Sequence, residues 1–182
     1  MNKFIIIISL IFSSFLCYSQ NVNIVEPEFS GTIVHVNNNG CYALPLKISK
    51  LILKRKASAS VYITGIGKAT TRAMVKGSTS AAKIKKGNTL QFIYRGTDNT
   101  VNPVDVIQLI RFNVKGANRE TVLASAGTFS GASTGDIGFV PFTAKKYRTS
   151  SYLVSVSDLA AGEYGFSLGK EETTTIHMFT VD

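Results

Sequence analysis

Basic and aromatic side chains are grouped at 145–152, and they are the residue types in this chain best suited to chemistry. Lys145, Lys146 and Arg148 flank Tyr147, and Tyr152 follows shortly after. Ammonium and guanidinium groups give charge-assisted hydrogen bonds to carboxylate, sulfate or phosphate, and a tyrosine ring offers a face for stacking. The group therefore predicts a binding surface for an anionic sugar or another anionic ligand.

A second group of positive charges lies at 47–56, where Lys47, Lys50, Lys54, Arg55 and Lys56 are close in sequence. Lysines on strands also have a purely structural purpose, because charge on an edge strand prevents sheets from joining edge to edge. The sequence leaves both interpretations open for both basic groups.

Residues for catalysis or metal binding form no recognisable pattern. The acidic residues are scattered, whereas glycoside hydrolysis needs two carboxylates that face each other across a bond. The two His and Cys41 lack the spacing of metal ligands. We therefore predict a non-catalytic protein without a metal or cofactor. Asp98, Asn99, Asn102 and Asp105 offer oxygen ligands for calcium, although turn chemistry explains the same residues.

Alternation of apolar and polar residues recurs along the chain, which positions these groups on strands. We count about ten short strands separated by turn signals and no long segment with a helical period. This pattern predicts an all-β fold, a two-layer antiparallel β-sandwich that is immunoglobulin-like or related. For 47–56 we expect a continuous, bent strand, with a single helical turn near Lys47–Leu53 as the alternative. Val104–Val114 is apolar on both faces, which predicts a central strand.

The clearest motif lies near the carboxyl terminus, between two alternating stretches. It consists of Leu159, Gly162 and Tyr164, followed by Phe166. The motif resembles the corner of immunoglobulin-like and fibronectin-like sandwiches, in which a Leu fills the core and a Gly makes the turn. A Tyr at the start of the next strand then hydrogen-bonds back across the corner. The resemblance implies an architecture and names no family.

The first twenty residues have the features of a signal peptide: Lys3, a short apolar run and small residues before a cut near Gln20. The apolar run is shorter than the roughly 20 residues of a membrane span. Lipid attachment at Cys17 is the alternative, although Leu16 is not the small residue such sites carry. We predict a signal peptide at 1–20, a loose leader at 21–28 and one β-sandwich domain at 29–182. Cys41 is then the lone cysteine of the processed chain.

The formal net charge is +9, and removal of Lys3 with the signal peptide would leave +8. Such an excess favours anionic partners, and we do not expect nucleic acid for an exported chain. The sequence predicts an exported, non-catalytic β-sandwich module of the bacterial cell envelope, periplasmic, on the cell surface or extracellular, without a transmembrane span. Its expected partner is an anionic polysaccharide or an envelope protein. The alternatives are a secreted hydrolase or inhibitor with a flap at Ser125–Gly138, and a pilus or surface-layer subunit.

Overall fold

The computed structural model describes residues 23–37, 43–58, 67–127, 131–133, 138–169 and 175–182. The predicted signal peptide at 1–20 and Cys41 lie outside the described residues, so what the sequence indicates about them stays a prediction.

The regular structure in this part of the chain is almost entirely strand, as the alternation predicted, and the all-β sandwich is confirmed. One helical turn, α1, is the exception. The elements in chain order are β1 Ile33–Val36, β2 Ala43–Pro45, β3 Lys47–Lys50, β4 Ile52–Ala57, β5 Lys68–Lys76, β6 Lys83–Ile84, β7 Thr89–Arg95, α1 Pro103–Val106, β8 Ile107–Lys115, β9 Asn118–Gly127, β10 Gly131–Ser133, β11 Phe139–Val140, β12 Thr143–Tyr147, β13 Ser151–Ser157, β14 Gly162–Leu168 and β15 Thr175–Val181.

The structure rules out one alternative and moves one predicted boundary. The helical turn considered near Lys47–Leu53 is wrong, because β3 and β4 occupy this segment and only Leu51 separates them. The predicted central strand begins at Ile107 instead of Val104. The first residues are helical because Pro103 suits the start of a helix and the side chain of Asn102 accepts a hydrogen bond from the amide of Val104.

The strands form two sheets whose order is that of an immunoglobulin domain. One sheet has five strands in the order β12-β13-β7-β1-β2; the other has the main path β3-β15-β14-β8-β9-β5-β4, with β6, β10 and β11 joined at its sides. In immunoglobulin lettering, β1, β7, β13 and β12 are A, B, E and D, and β15, β14, β8 and β9 are G, F, C and C′. The remaining strands are additions, most of them inserted between A and B.

The main core lies between the two sheets and is built from aromatic and branched side chains. Phe92 on β7 and Phe166 on β14 meet edge to face, with ring centroids 4.9 Å apart. This is where antibody domains place the disulfide between strands B and F, so an aromatic pair takes its position. The other large, fully buried members are Ile33, Leu90, Ile107, Leu109, Tyr152, Tyr164 and Phe179.

A second core forms because the larger sheet curls onto itself. Strand β3 pairs with β15 at one end of the sheet order and β4 pairs with β5 at the other, so Leu51 between them joins both edges. The concave face encloses Leu51, Ala73, Val75, Ile110, Phe112, Ile176 and Met178. The predicted bent strand at 47–56 is thus the element that closes the sheet.

A buried ion pair lies beside the second core. Arg119 and Glu163 are 3% and 4% exposed, and Nη1 of Arg119 lies 3.0 Å from Oε2 of Glu163. The same carboxylate accepts hydrogen bonds of 2.6 Å from the hydroxyls of Ser80 and Thr180. Arg119 also donates to the carbonyls of Gly77 and Lys76. The charges and hydroxyls of this cluster satisfy one another, so the cluster holds β9, β14 and β15 together.

Candidate functional site

The five residues of the predicted basic and aromatic surface do not share one surface. Side chains alternate along β12, so Lys145 and Tyr147 lie on one face of the five-stranded sheet and Lys146 lies on the other. Tyr152 is directly opposite Lys146 in the β12–β13 register, and it is only 2% exposed. The sequence grouped these residues by proximity, whereas the pleat separates them.

Tyr147 and the adjacent Arg148 bind the amino-terminal segment. The hydroxyl of Tyr147 donates to the carbonyl of Ile24 at 2.6 Å and accepts from its amide at 3.0 Å. Arg148 donates to the same carbonyl and to the side chain of Asn23, and its guanidinium lies over the Tyr147 ring. Ile24 is 7% exposed and packs with the buried outer residues of this sheet. Of the leader predicted as loose over 21–28, residues 23–28 are described, and Asn23 and Ile24 bind the domain through these contacts.

Glu26 completes this attachment. Its carboxylate accepts from Arg95 at 3.2 Å and from the amide of Ser150 at 2.9 Å. Burial raises the pKa of Glu26, but the Ser150 amide and the charges of Arg95 and Arg148 outweigh it and hold this pKa below its usual value. Tyr147 and Arg148 thus have intramolecular partners in the folded chain.

Tyr152, which is paired with Lys146, borders a cleft at one end of the sandwich. The cleft holds about 190 Å³ and opens between the end of β7 and the segment that leads into α1. Its walls combine two aromatic rings, one carboxylate and two valines; the lining residues are Tyr94, Gly96, Thr97, Asp98, Val101, Val106 and Tyr152. The cleft thus combines apolar side chains with polar groups held at fixed positions, a combination found in small-ligand sites.

Two stacked tyrosines form the aromatic wall. The rings of Tyr94 and Tyr152 are nearly parallel, with an interplanar angle of 9° and centroids 6.0 Å apart. The hydroxyl of Tyr152 donates to the carbonyl of Val101 at 2.6 Å, which fixes the ring and the loop together. Burial raises the pKa of both phenols, so they stay neutral at physiological pH. Tyr94 is half-buried and presents the more accessible ring.

Asp98 supplies the charge in the cleft. Its Oδ1 accepts hydrogen bonds from the hydroxyl of Thr100 at 2.7 Å and from the Thr100 amide at 2.9 Å. These bonds lower the pKa of Asp98, and the positive charge of Lys146 lowers it further. The negative charge of Asp98 in turn contributes to the raised pKa of Tyr152. The cleft therefore has a fixed carboxylate acceptor with an ammonium group in its electrostatic range.

The loop that carries Asp98 is held by contacts at each end. Both donors of the buried Asn99 amide bond to backbone, to the carbonyls of Arg148 and Ser151. The amide of Gly96 donates to the carbonyl of Ser150, and the amide of Gly169 donates to the carbonyl of Val106. The described loop is thus tied to the β12–β13 turn and to the end of β14.

The calcium interpretation of this loop receives no support from its geometry. The side-chain oxygens of Asp98 and Asn102 accept from nearby groups in the chain, and the Asn99 amide nitrogen donates to two carbonyls. Within the described residues, no three His, Cys, Asp or Glu side chains form a group able to hold a metal ion.

The cleft lies at the end of the sandwich where β7 leads into the loop before β8. The loop from β7 to β8 is the B–C loop in immunoglobulin lettering, and the β12–β13 turn lies beside it. In antibody variable domains the B–C loop is one of the three that bind antigen. Loops on a rigid scaffold commonly carry binding residues because the scaffold fixes their ends.

The corner residues lie at the E–F connection, where the chain passes from the five-stranded sheet to the larger one. The hydroxyl of Tyr164 donates to the carbonyl of Ala160 at 2.8 Å, back across the turn. Leu159 is 4% exposed within the main core, and Gly162 has φ 154°, which side-chain-bearing residues rarely adopt. This geometry fixes where β14 begins, and it has no part in the cleft.

The segment 125–138, considered as a flap, is largely strand where it is described. β10 pairs antiparallel with the end of β9, with Ser133 opposite Ser125, and the amide of Gly138 donates to the carbonyl of Val122. Residues 128–130 and 134–137 lie outside the described residues. Pairing by the main chain makes the described part an extension of the sheet, whereas the flap stays a prediction for the rest of the segment.

Sequence reasoning missed most of the cleft. The sequence indicates Asp98 only as a turn or calcium residue, and its spacing connects neither Tyr94 nor Asp98 with Tyr152. A signal was present in the run Tyr94-Arg-Gly-Thr-Asp98, where an aromatic residue ends a strand just before a polar loop. The pairing of β7 with β13, which places Tyr94 opposite Tyr152, is a long-range contact that spacing does not reveal.

No protein-family model matches the sequence, and neither a curated protein nor a solved structure is similar to the chain. None of the helices in the described part of the chain has the length and apolar character needed to cross a membrane.

Proposed function

We propose that this chain is an exported, non-catalytic binding module of the bacterial cell envelope, and that its B–C cleft binds a sugar residue of an envelope glycan. The observation that carries the proposal is the cleft itself, in which Tyr94 and Tyr152 stand beside Asp98 at the loop end of an immunoglobulin-like sandwich. Export is supported by the signal-like first twenty residues.

The chemistry of the walls suits a sugar. A pyranose ring has apolar C–H faces that pack on an aromatic ring, and hydroxyl groups that donate to carboxylates. Tyr94 supplies the half-exposed ring, and Asp98 is kept ionised because its pKa is lowered. Lys146 adds a donor near the rim, which favours a sugar that carries a negative group. A site of about 190 Å³ has room for a group of monosaccharide size.

The loop is built for binding without rearrangement. Contacts from Asn99, Tyr152 and the amide of Gly96 tie it to the sheet. A preformed site loses less conformational entropy when its ligand binds, which raises affinity. The lining residues supply one carboxylate, Asp98, whereas glycoside hydrolysis uses two, and this supports binding instead of turnover.

The test is a glycan array followed by titration calorimetry on the purified processed chain. We expect Tyr94→Ala and Asp98→Asn each to weaken binding of a positive glycan by about tenfold, because each removes a contact of roughly 1–1.5 kcal/mol. Asp158→Asn is the matched control, since Asp158 is exposed, distant in sequence and adopts a positive φ that Asn tolerates. Equal affinity for the wild type and the Tyr94 variant, or release of reducing sugar during incubation, would contradict the proposal.

A further inference from the structure

A second group of cations lies on the larger sheet, on the face of β4 and β5 that points away from the second core. Side chains alternate along β5, so Ala73 and Val75 enter the second core while Arg72 and Lys76 point outward. Lys54 and Lys56 of β4 share this outward face, because Lys54 is directly opposite Arg72 in the register. We define Lys54, Lys56, Arg72 and Lys76 as the cationic face; all four are exposed.

The cationic face holds like charges at close range. Paired residues on neighbouring strands have Cβ atoms about 5 Å apart, so Lys54 and Arg72 repel each other directly, and Lys56 follows about 7 Å along the strand. In the described part of the chain, none of the four forms an ion pair. The acid nearest in register on this face is Glu120, opposite Met74. Like charges directly opposite destabilise a sheet, so their placement costs stability in the free protein.

Protection of a sheet edge does not explain this arrangement. Lysines on β4 could serve that purpose, since β4 stands at the end of the sheet order. Arg72 does not, because β5 is paired on both sides, with β4 and with β9. A cation on an interior strand, placed opposite another cation, indicates that an external anion is the missing partner.

We propose that the cationic face binds a linear acidic polysaccharide, independently of the cleft. The cations lie in a row along two strands, and a polymer with repeating carboxylate or sulfate groups meets several of them at once. The apolar side chains beside these cations, Ile52 and Met74, are partly or fully buried, so the described strands β4 and β5 offer no large exposed apolar group for insertion into a lipid surface. Neither of its two described strands, β4 or β5, carries an aromatic ring on which a nucleic acid base would stack.

The experiment measures binding of the processed chain to polygalacturonate by calorimetry at two salt concentrations, with neutral dextran as the blank. We expect binding that weakens as salt rises, and a loss of about tenfold in Lys54→Gln/Lys56→Gln/Arg72→Gln. Lys83→Gln/Lys85→Gln/Lys86→Gln removes the same charge from exposed lysines elsewhere and should change affinity less than about twofold. Arg72→Gln alone should weaken binding measurably, which edge protection does not predict.

Thermal unfolding of each variant separates binding from folding. The triple variant should melt at or above the wild-type temperature, because it removes repulsion between paired strands. Equal losses of affinity in both triple variants would overturn the proposal, since general charge would then account for binding. Binding only to phosphatidylglycerol vesicles or to duplex DNA, with none to polygalacturonate, would overturn it as well. Loss of polygalacturonate binding in Tyr94→Ala would show that the cleft, and not this face, holds the polymer.

Discussion

Replacement of Glu163 by Gln tests the role of the buried ion pair. The carboxylate of Glu163 accepts three hydrogen bonds, from Arg119 at 3.0 Å and from the hydroxyls of Ser80 and Thr180 at 2.6 Å each. Gln conserves the shape but replaces one acceptor oxygen by an NH₂ donor, which then faces a donor. It also leaves the guanidinium of Arg119, 3% exposed, without its counter-charge.

The expected loss follows from this geometry. Removal of one partner from a buried ion pair costs about 3–5 kcal/mol, a large part of the roughly 5–15 kcal/mol by which domains are stable. The melting temperature should fall by roughly 10 °C or more for a domain of this size. The assay is urea unfolding followed by far-ultraviolet circular dichroism, because the chain has no Trp for fluorescence. An unchanged denaturant slope would show that the compactness of both states is preserved.

Further variants separate the effect of the buried charge from that of the hydrogen bonds. In Arg119→Met/Glu163→Leu both charges are gone, so the pair should lose less stability than Glu163→Leu alone, with about 1 kcal/mol lost for each abandoned hydroxyl. Glu26→Gln, at the partly exposed Arg95 pair, should cost only about 1 kcal/mol. A loss below about 1 kcal/mol in Glu163→Gln, or a double variant less stable than Glu163→Leu alone, would refute the reasoning.

Three other outcomes are expected. Gly165→Ala should lower the free energy of unfolding in urea by about 1–3 kcal/mol, because the new Cβ would lie 2.6 Å from the sulfur of Met178. Gly87→Ala is the control, since a Cβ there has ordinary contacts and should leave this free energy nearly unchanged. Burial lowers the pKa of His35 and His177, so as pH falls the unfolded chain takes up protons at these residues before the folded chain does. The free energy of unfolding should therefore fall as pH drops below about 6.5, by up to about 1.4 kcal/mol per pH unit for each histidine. Urea unfolding measured between pH 7 and 5 would contradict this if the free energy stayed constant. Tyr147→Phe removes both hydrogen bonds between the Tyr147 hydroxyl and Ile24. Hydrogen exchange of the Ile24 amide, measured by NMR, should accelerate about tenfold, while the global free energy of unfolding changes by about 1 kcal/mol or less. An unchanged exchange rate would mean that the hydroxyl does not hold the leader.

The sequence determined the architecture because the inward and outward alternation of side chains is a local property. Leu90, Phe92 and Tyr94 alternate on β7, and this period alone predicts a strand with one buried face. The corner motif likewise depends on neighbours in sequence, since Tyr164 bonds to a carbonyl only four residues earlier. The helical turn at Pro103–Val106 was missed because Pro103 and Asn102 also suit a plain loop.

Only the tertiary structure decided which residues meet. Lys145 and Lys146 are adjacent in the chain, yet the pleat places them on opposite faces of the sheet, and the hydroxyl of Tyr147 bonds to Ile24 of the leader. Tyr94 meets Tyr152, and Lys54 meets Arg72, through strand pairings between residues far apart in sequence. The physical reason is that the register between strands depends on the whole set of pairings and on how both cores close. The sequence of one strand does not indicate which strand will pair with it.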